Sequence, residues 1–137
     1  MDARLSEAVR ARAGHACEYC WLPQSAFPTI RFHVDHIIAR KHRGLTDLRN
    51  LALSCFNCNG FKGPNIAGND PLTGRLARLF NPRRQRWVRH FRWDGATIIG
   101  RTAVGRVSVE MMNFNEEQAV LTRAALIRER LIDPSKD

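Results

Sequence analysis

The stretch LRNLALSCFNCNGFKG, residues 48–63, changes character twice in sixteen positions. Leu51–Ser54, apolar except for its last residue, reads as a short strand. Two cysteines follow at a two-residue gap, Cys55 and Cys58. The chain around Cys58–Gly63 then begins a short helix that Gly63-Pro64 must end. Strand, paired thiols and helix in this order define a small α+β unit, provided that something fixes the cysteines.

The partner is CEYC at residues 17–20. All four cysteines of the chain fall into these two pairs, Cys17/Cys20 and Cys55/Cys58. A two-residue gap lets both sulfurs of a pair turn toward one point, and two such knuckles supply a tetrahedral four-sulfur site suited to structural zinc. Disulfides fit less well, because MDARLSEAVRARAGHAC at the N-terminus lacks the apolar core of a secretory signal. A redox C-x-x-C would need only one pair. Thirty-four residues separate Cys20 from Cys55, against the 15–20 or so of a simple zinc ribbon. The expected zinc therefore clamps the ends of a unit with its own insert. A unit this small buries little core, so metal binding should supply much of its folding energy.

The insert contains HVDHIIARKHRG, residues 33–44. The run Phe27–Ile38 is rich in β-branched and aromatic residues and reads as a strand, and residues 41–50 read as a polar loop. Asp35 is a hard oxygen donor suited to Mg²⁺ or Mn²⁺. His36 carries an imidazole, the group most often used to take a proton from water. Asn50 ends the loop, Asn59 follows the second knuckle, and Lys62 shares a helix face with Asn59. A base, a hard metal ligand and a cation are the parts that phosphodiester hydrolysis needs. His33 is a candidate third ligand, since it shares a strand face with Asp35, although an exposed strand residue reads the same way.

Charge points to the same class of partner. The net charge is +9, and residues 66–114 hold nine arginines against three carboxylates. Seven of these arginines lie between Arg75 and Arg92 with no carboxylate among them. Such a field attracts phosphate polyanions. Lys62, Arg40, Lys41 and Arg43 are the first candidates for phosphate contacts, with His42 beside them and Arg83, Arg84 and Arg86 next. No eighteen-residue apolar run exists, and the basic stretch lacks a lipid-facing pattern, so no membrane partner is expected. A soluble, cytoplasmic protein is the resulting expectation.

Outside the clamp, Leu5, Val9 and Ala13 predict a helix over roughly 3–13 that Gly14 ends. Residues 64–82 read as a meandering loop, and Thr97–Thr102 as a strand. Val104, Val107 and Met111 fit a helix that pays a cost at Gly105. A last helix is expected with Asn115 as N-cap, an apolar stripe of Val120, Ala124, Ile127 and Leu131, and a stop at Asp133-Pro134. Trp21 is expected over the first knuckle. Trp87 and Trp93 could stack on bases but more often such rings pack internally, and His15 and His90 read as structural or surface residues.

The set C-x2-C … HVDHII … G … LRNLALSCFNCNGFKG is similar to the HNH endonuclease family in its zinc-stapled form, over about residues 13–66. The resemblance implies a ββα-metal finger, a hairpin packed on a short helix. It implies His36 as general base, Asp35 and Asn59 as ligands of a catalytic divalent ion (Mg²⁺, Mn²⁺ or Ni²⁺), and Asn50 as the residue that orients the catalytic loop. The four cysteines match the structural zinc ligands, and hydrolysis would leave 5′-phosphate and 3′-hydroxyl ends. Residues 63–93 resemble the C-terminal extension of a bacterial subgroup. Ala39, Arg43 and Asn59 depart from the commoner Pro, Gly and His of the family, and of these only Asn59 touches the expected chemistry.

The expectation is thus an α+β protein: a zinc-stapled ββα-metal finger with an N-terminal helix, residues 1–66, and a basic strand and two-helix extension, residues 67–137, packing on it. Its expected activity is metal-dependent cleavage of double-stranded DNA, one strand per site, with a homodimer as one route to double-strand breaks. A zinc-stapled binding module without cleavage, and an RNA-directed nuclease, fit the same composition.

Overall fold

The structure is a computed structural model that describes residues 1–136. Helix α1, Ala3–Arg12, begins where the Asp2 carboxylate accepts from the Arg4 N–H, and its last turn carries Arg10 and Arg12. These two arginines do more than complement the helix dipole. Arg10 donates to the Phe32 carbonyl, and Arg12 donates to the carbonyls of Leu48 and Leu51, so α1 is fastened across the strands that follow.

Strand β1, His33–His36, pairs antiparallel with β2, Leu51–Ser54, in the register His33 to Ser54 and His36 to Leu51. Helix α2, Phe56–Lys62, follows directly and contacts both strands. This is the ββα unit that the family resemblance implied. All four residues of β2 are buried, which accounts for the apolar run Leu51–Leu53 that opens it; Ser54 is the one polar member. The cap of α2 is a thiol: Cys55 Sγ accepts from the Cys58 N–H at 3.4 Å.

Strand β1 is much shorter than the expected Phe27–Ile38. The cause is Gln24, whose amide donates to the carbonyls of Phe27 and Ile30 and accepts from the Phe32 N–H. Residues 27–32 fold around this one side chain instead of extending.

The expected loop 64–82 contains a hairpin, β3 (Ala67–Asn69) with β4 (Leu76–Arg78). Asp70 organises its turn, accepting from Leu72 N–H and Thr73 Oγ1 and binding Arg106 through both carboxylate oxygens at 2.9 and 2.8 Å. A short helix α3, Trp87–His90, leads into β5, Phe91–Asp94, which pairs with β6, Thr97–Gly100. Strand β5 escaped the sequence reading because its alternation, FRWD, is embedded in arginines.

Helix α4, Ala103–Met111, lies against β6. Gly105 is required there: a Cβ at that position would sit 1.9 Å from the His90 carbonyl oxygen, so its helix-propensity cost is offset by a close backbone crossing. Helix α5, Glu117–Arg128, is capped by Glu116, not Asn115. Asn115 instead accepts from the Ile98 N–H and donates to the Ile98 carbonyl, tying the helix entry to β6. The buried face of α5 is also one residue away from the expected stripe. Ala119, Arg123 and Leu126 are buried, while Leu131 is 54% exposed and lies beyond the helix.

A single cluster of buried side chains joins Val9, Tyr19, Leu51, Leu53 and the cysteines to Phe80, Phe91, Ile98, Met112 and Phe114. Among the described residues, no helix is long and apolar enough to cross a membrane.

Candidate metal centre and active site

The four cysteines converge. Their sulfurs lie within 4.8 Å of one another, and all four residues are buried. A zinc ion with Zn–S bonds of about 2.3 Å places its sulfurs about 3.8 Å apart. Cys20 Sγ and Cys55 Sγ are 3.7 Å apart, so the donor set fits zinc in both chemistry and spacing. Packed sulfurs share protons unequally. Hydrogen bonds from Cys17, Cys20 and Cys58 hold the Cys55 thiol far below its usual range, whereas burial and its neighbours push Cys58 up.

The residues between the first pair of cysteines reach into the ββα unit. Glu18 accepts from the Leu53 N–H of β2 at 2.8 Å and is bridged to Arg83. Tyr19, the only tyrosine of the chain, is fully buried and donates from its hydroxyl to Asp35 Oδ2 at 2.8 Å. Trp21, just past the knuckle, packs on Trp87 and Trp93 with ring centroids 4.5 and 5.6 Å away. Trp87 also donates to the Tyr19 carbonyl. Both C-terminal tryptophans thus belong to internal packing.

Asp35 and His36 are neighbours on β1 with opposite surroundings. Asp35 is 8% exposed, and the Lys62 ammonium lies 3.2 Å from Oδ2 and 3.4 Å from Oδ1. Lys62 is itself 1% exposed and also donates to the His36 carbonyl. Burial raises the Asp35 carboxyl above its ordinary range, while Lys62, Tyr19 and His36 act in the opposite direction. Lys62, a first-choice phosphate contact on sequence grounds, is therefore an internal partner of Asp35 in this structure. Its helical spacing to Asn59 was legible, but α2 turns that face inward over β1.

His36 is half-buried, and its Nε2 lies 2.8 Å from Thr46 Oγ1. Asn50 fixes the intervening loop with three 2.9 Å hydrogen bonds: it accepts from Ile38 N–H and donates to the carbonyls of Ile38 and Leu45. The loop passes so close that a Cβ on Gly44 would sit 1.7 Å from the Ile38 oxygen. Asn59 is half-buried on α2, and His33 is exposed at the start of β1.

Arg40, Lys41, His42 and Arg43 form an exposed basic turn directly after β1. Arg83 is half-buried against Glu18, which gives it a structural bond, whereas Arg84 and Arg86 are exposed. His90 is half-buried with Nδ1 2.7 Å from Thr102 Oγ1, and His15 is exposed.

Two site residues escaped the sequence reading. Tyr19 carried a signal, as the sole tyrosine inside a metal knuckle, but its target lies sixteen positions away. Thr46 carried almost none: a hydroxyl in a polar loop is ordinary until the loop is folded.

The hairpin, the short helix and the four clustered cysteines lie together in one segment of the chain. Residues 17–65 match the family model described as HNH endonuclease. This bears out the resemblance over that segment and assigns it to a class with nuclease or nucleic-acid-binding function. No curated protein and no solved structure matches the chain.

Proposed function

We propose that this chain is a metal-dependent DNA endonuclease in which His36 activates the attacking water. The observation that best supports this is the closure of the loop by Asn50, which holds residues 38–45 while Thr46 meets His36 Nε2. A hydroxyl accepting from Nε2–H leaves the Nδ1 lone pair for a water proton, so Thr46 would select the basic tautomer. Asp35 and Asn59 offer the oxygen donors that hard divalent ions such as Mg²⁺ or Mn²⁺ prefer. When bound, such an ion supplies charge stabilisation for the phosphate and the departing oxygen. The exposed turn of Arg40, Lys41, His42 and Arg43, with Arg84 and Arg86 as further candidates, would grip phosphates. One such site cuts one strand, so double-strand breaks would take two copies or two events. The chain divides in this reading into a nuclease core, residues 1–66, and a basic extension, residues 67–137.

Plasmid nicking by purified protein with Mg²⁺ or Mn²⁺ tests the reading. Loss of a general base costs about 10²–10⁴-fold, so H36A should nick at least a hundredfold more slowly while still binding DNA. If wild type cuts no better than H36A, the enzymatic reading fails. A parallel RNA substrate separates the two nucleic acids.

A second reading, a zinc-stapled binding module without cleavage, draws on the Asp35 contacts. Both its oxygens are engaged by Tyr19 and Lys62, so a divalent ion there meets a resident ammonium. That reading predicts salt-dependent duplex binding with no nicking under any metal.

A further inference from the structure

Hairpin β3–β4 is fixed at its tip by a closed set of hydrogen bonds. The Asp70 carboxylate accepts from the Leu72 N–H and from Thr73 Oγ1, which in turn accepts from the Arg75 N–H. The backbone closes beneath them, with Asp70 N–H on the Arg75 carbonyl at 2.8 Å and Gly74 N–H on the Asp70 carbonyl at 2.7 Å. Arg106 of α4 then holds both Asp70 oxygens. On the inner face Gly68 pairs with Ala77 and lies so near α4 that a Cβ on it would sit 2.4 Å from Met111 Cε. Strand alternation turns Asn69, Leu76 and Arg78 the other way, and all three are exposed.

A lone exposed leucine calls for no explanation. This turn presents two within five residues. Leu72 and Leu76 are 72% and 76% exposed, the highest values for large apolar side chains among the described residues. Arg75 and Arg78 are exposed beside them. Asp70 is the one carboxylate between Ile66 and Trp93, a stretch with seven arginines, and it is 1% exposed and already bound by Arg106. The outward surface of the hairpin is therefore apolar and cationic, with no exposed carboxylate of its own. Proteins that enter the minor groove of DNA combine these residue types: Arg and Asn line the groove, and an apolar side chain such as Leu is driven between base steps and kinks the duplex.

Resting on the DNA reading of the ββα unit, we propose that the tip of β3–β4 is a minor-groove wedge. Leu72 and Leu76 enter between base steps, while Asn69, Arg75 and Arg78 lie along the groove. The hairpin stands outside the segment that matches the family model, so the wedge is an addition to that unit. A turn already fixed by Asp70 and Arg106 loses little conformational freedom on insertion, which favours binding. Its reach also fits. Ala67 follows Lys62 by five residues, and five Cα steps of 3.8 Å place it within about 19 Å of the lysine that contacts Asp35. That distance is shorter than one duplex turn of about 34 Å, so wedge and Asp35–His36 pair can meet one segment of bent DNA.

The test uses the full chain and a duplex of about 30 base pairs carrying a fluorescent donor and acceptor at its ends, without added Mg²⁺ or Mn²⁺. Wild type should raise energy transfer between the ends, the sign of a kink. L72S/L76S should lose that rise and bind about tenfold more weakly. L121S removes another exposed leucine, on α5, and should match wild type. Wild-type bending by L72S/L76S, or an equal loss in L121S, overturns the proposal. Should L72S/L76S melt below wild type, the single L72S, placed in the turn, decides by the same readout. A wild-type chain that sediments with phosphatidylserine vesicles but leaves the duplex unbound overturns it in favour of a lipid surface. Plasmid nicking scored in parallel separates the two readings. Nicking without bending overturns the wedge alone, whereas bending without nicking upholds the wedge and removes the endonuclease.

Discussion

Replacing Lys62 with Met removes a cation from the interior and leaves a carboxylate behind. Lys62 and Asp35 are 1% and 8% exposed and 3.2 Å apart, so solvent screens neither. Breaking such a pair by deleting one partner costs about 3–5 kcal/mol, chiefly because the other charge stays buried and unpaired. The Tyr19 hydroxyl, 2.8 Å from Oδ2, remains as a donor and argues for the lower end. At pH 7.5 we therefore expect K62M to lose about 3 kcal/mol, on the order of 10 °C in Tm for a domain of this size.

The pH dependence separates charge from shape. Burial already raises the Asp35 carboxyl in the wild-type fold, and Lys62 is the strongest group opposing it. Without Lys62 the folded-state value moves further above the unfolded value of about 3.9. A folded value above the unfolded one means that folding takes up a proton. Stability is then fully present below the unfolded value and is lost as pH rises through the folded one. The gap between K62M and wild type should therefore narrow markedly from pH 7.5 to pH 5. Urea unfolding followed by fluorescence of the Trp21, Trp87 and Trp93 cluster, with zinc present, measures both. The companion D35N/K62M should lie closer to wild type than K62M alone, since it removes both charges. A gap constant to about 0.5 kcal/mol across that pH range, or a double variant that costs the sum of the singles, would refute the reasoning.

Two other perturbations are worked from the same geometry. Gly44→Ala puts a Cβ 1.7 Å from the Ile38 oxygen and 2.8 Å from Asn50 Nδ2, so the loop must move; we expect about 1–3 kcal/mol of destabilisation by thermal melting and a nicking rate that falls with it. Asp70, held well below the usual carboxylate range first of all by Arg106, contributes stability above its unfolded value of about 3.9 that is lost as pH falls further; D70N should flatten the acid limb of a stability–pH curve recorded by circular dichroism.

What was legible in the chain was what local chemistry dictates. Strand β2, helix α1 and the cysteine tetrad announce themselves because an apolar run, a capped amphipathic segment and paired thiols mean nearly the same thing in any fold. The hairpin β3–β4 did not, because its turn depends on Arg106, thirty-six positions from Asp70. The strand reading over Phe27–Ile38 failed on one glutamine whose three hydrogen bonds outweigh six residues of β propensity. The expected stripe of the last helix left Arg123 out, yet the structure buries that side chain. Nothing within α5 itself signals this; burial of an arginine is decided by what it faces, here Ala96, Asn115 and the Trp93 ring. Lys62 illustrates the same limit, since a lysine near a phosphate-handling motif reads as a phosphate contact until α2 is docked.

The internal position of Asp35 changes which substitution is informative. His36 meets solvent and one threonine, so its replacement perturbs little beyond the imidazole. Asp35 is wired to Tyr19, and Tyr19 sits between Cys17 and Cys20 of the cysteine cluster, so any change at Asp35 reaches that cluster and the buried lysine together. Inactivity of an Asp35 variant would follow equally from a lost divalent ion and from a disturbed core. The catalytic question therefore turns on His36, and the metal question on whether added Mg²⁺ or Mn²⁺ alters the protection of β1 in protein first supplied with zinc. An ion that binds at Asp35 has to displace or share the Lys62 ammonium. K62M, which empties that position, should then bind the divalent ion more tightly than wild type even as it loses stability.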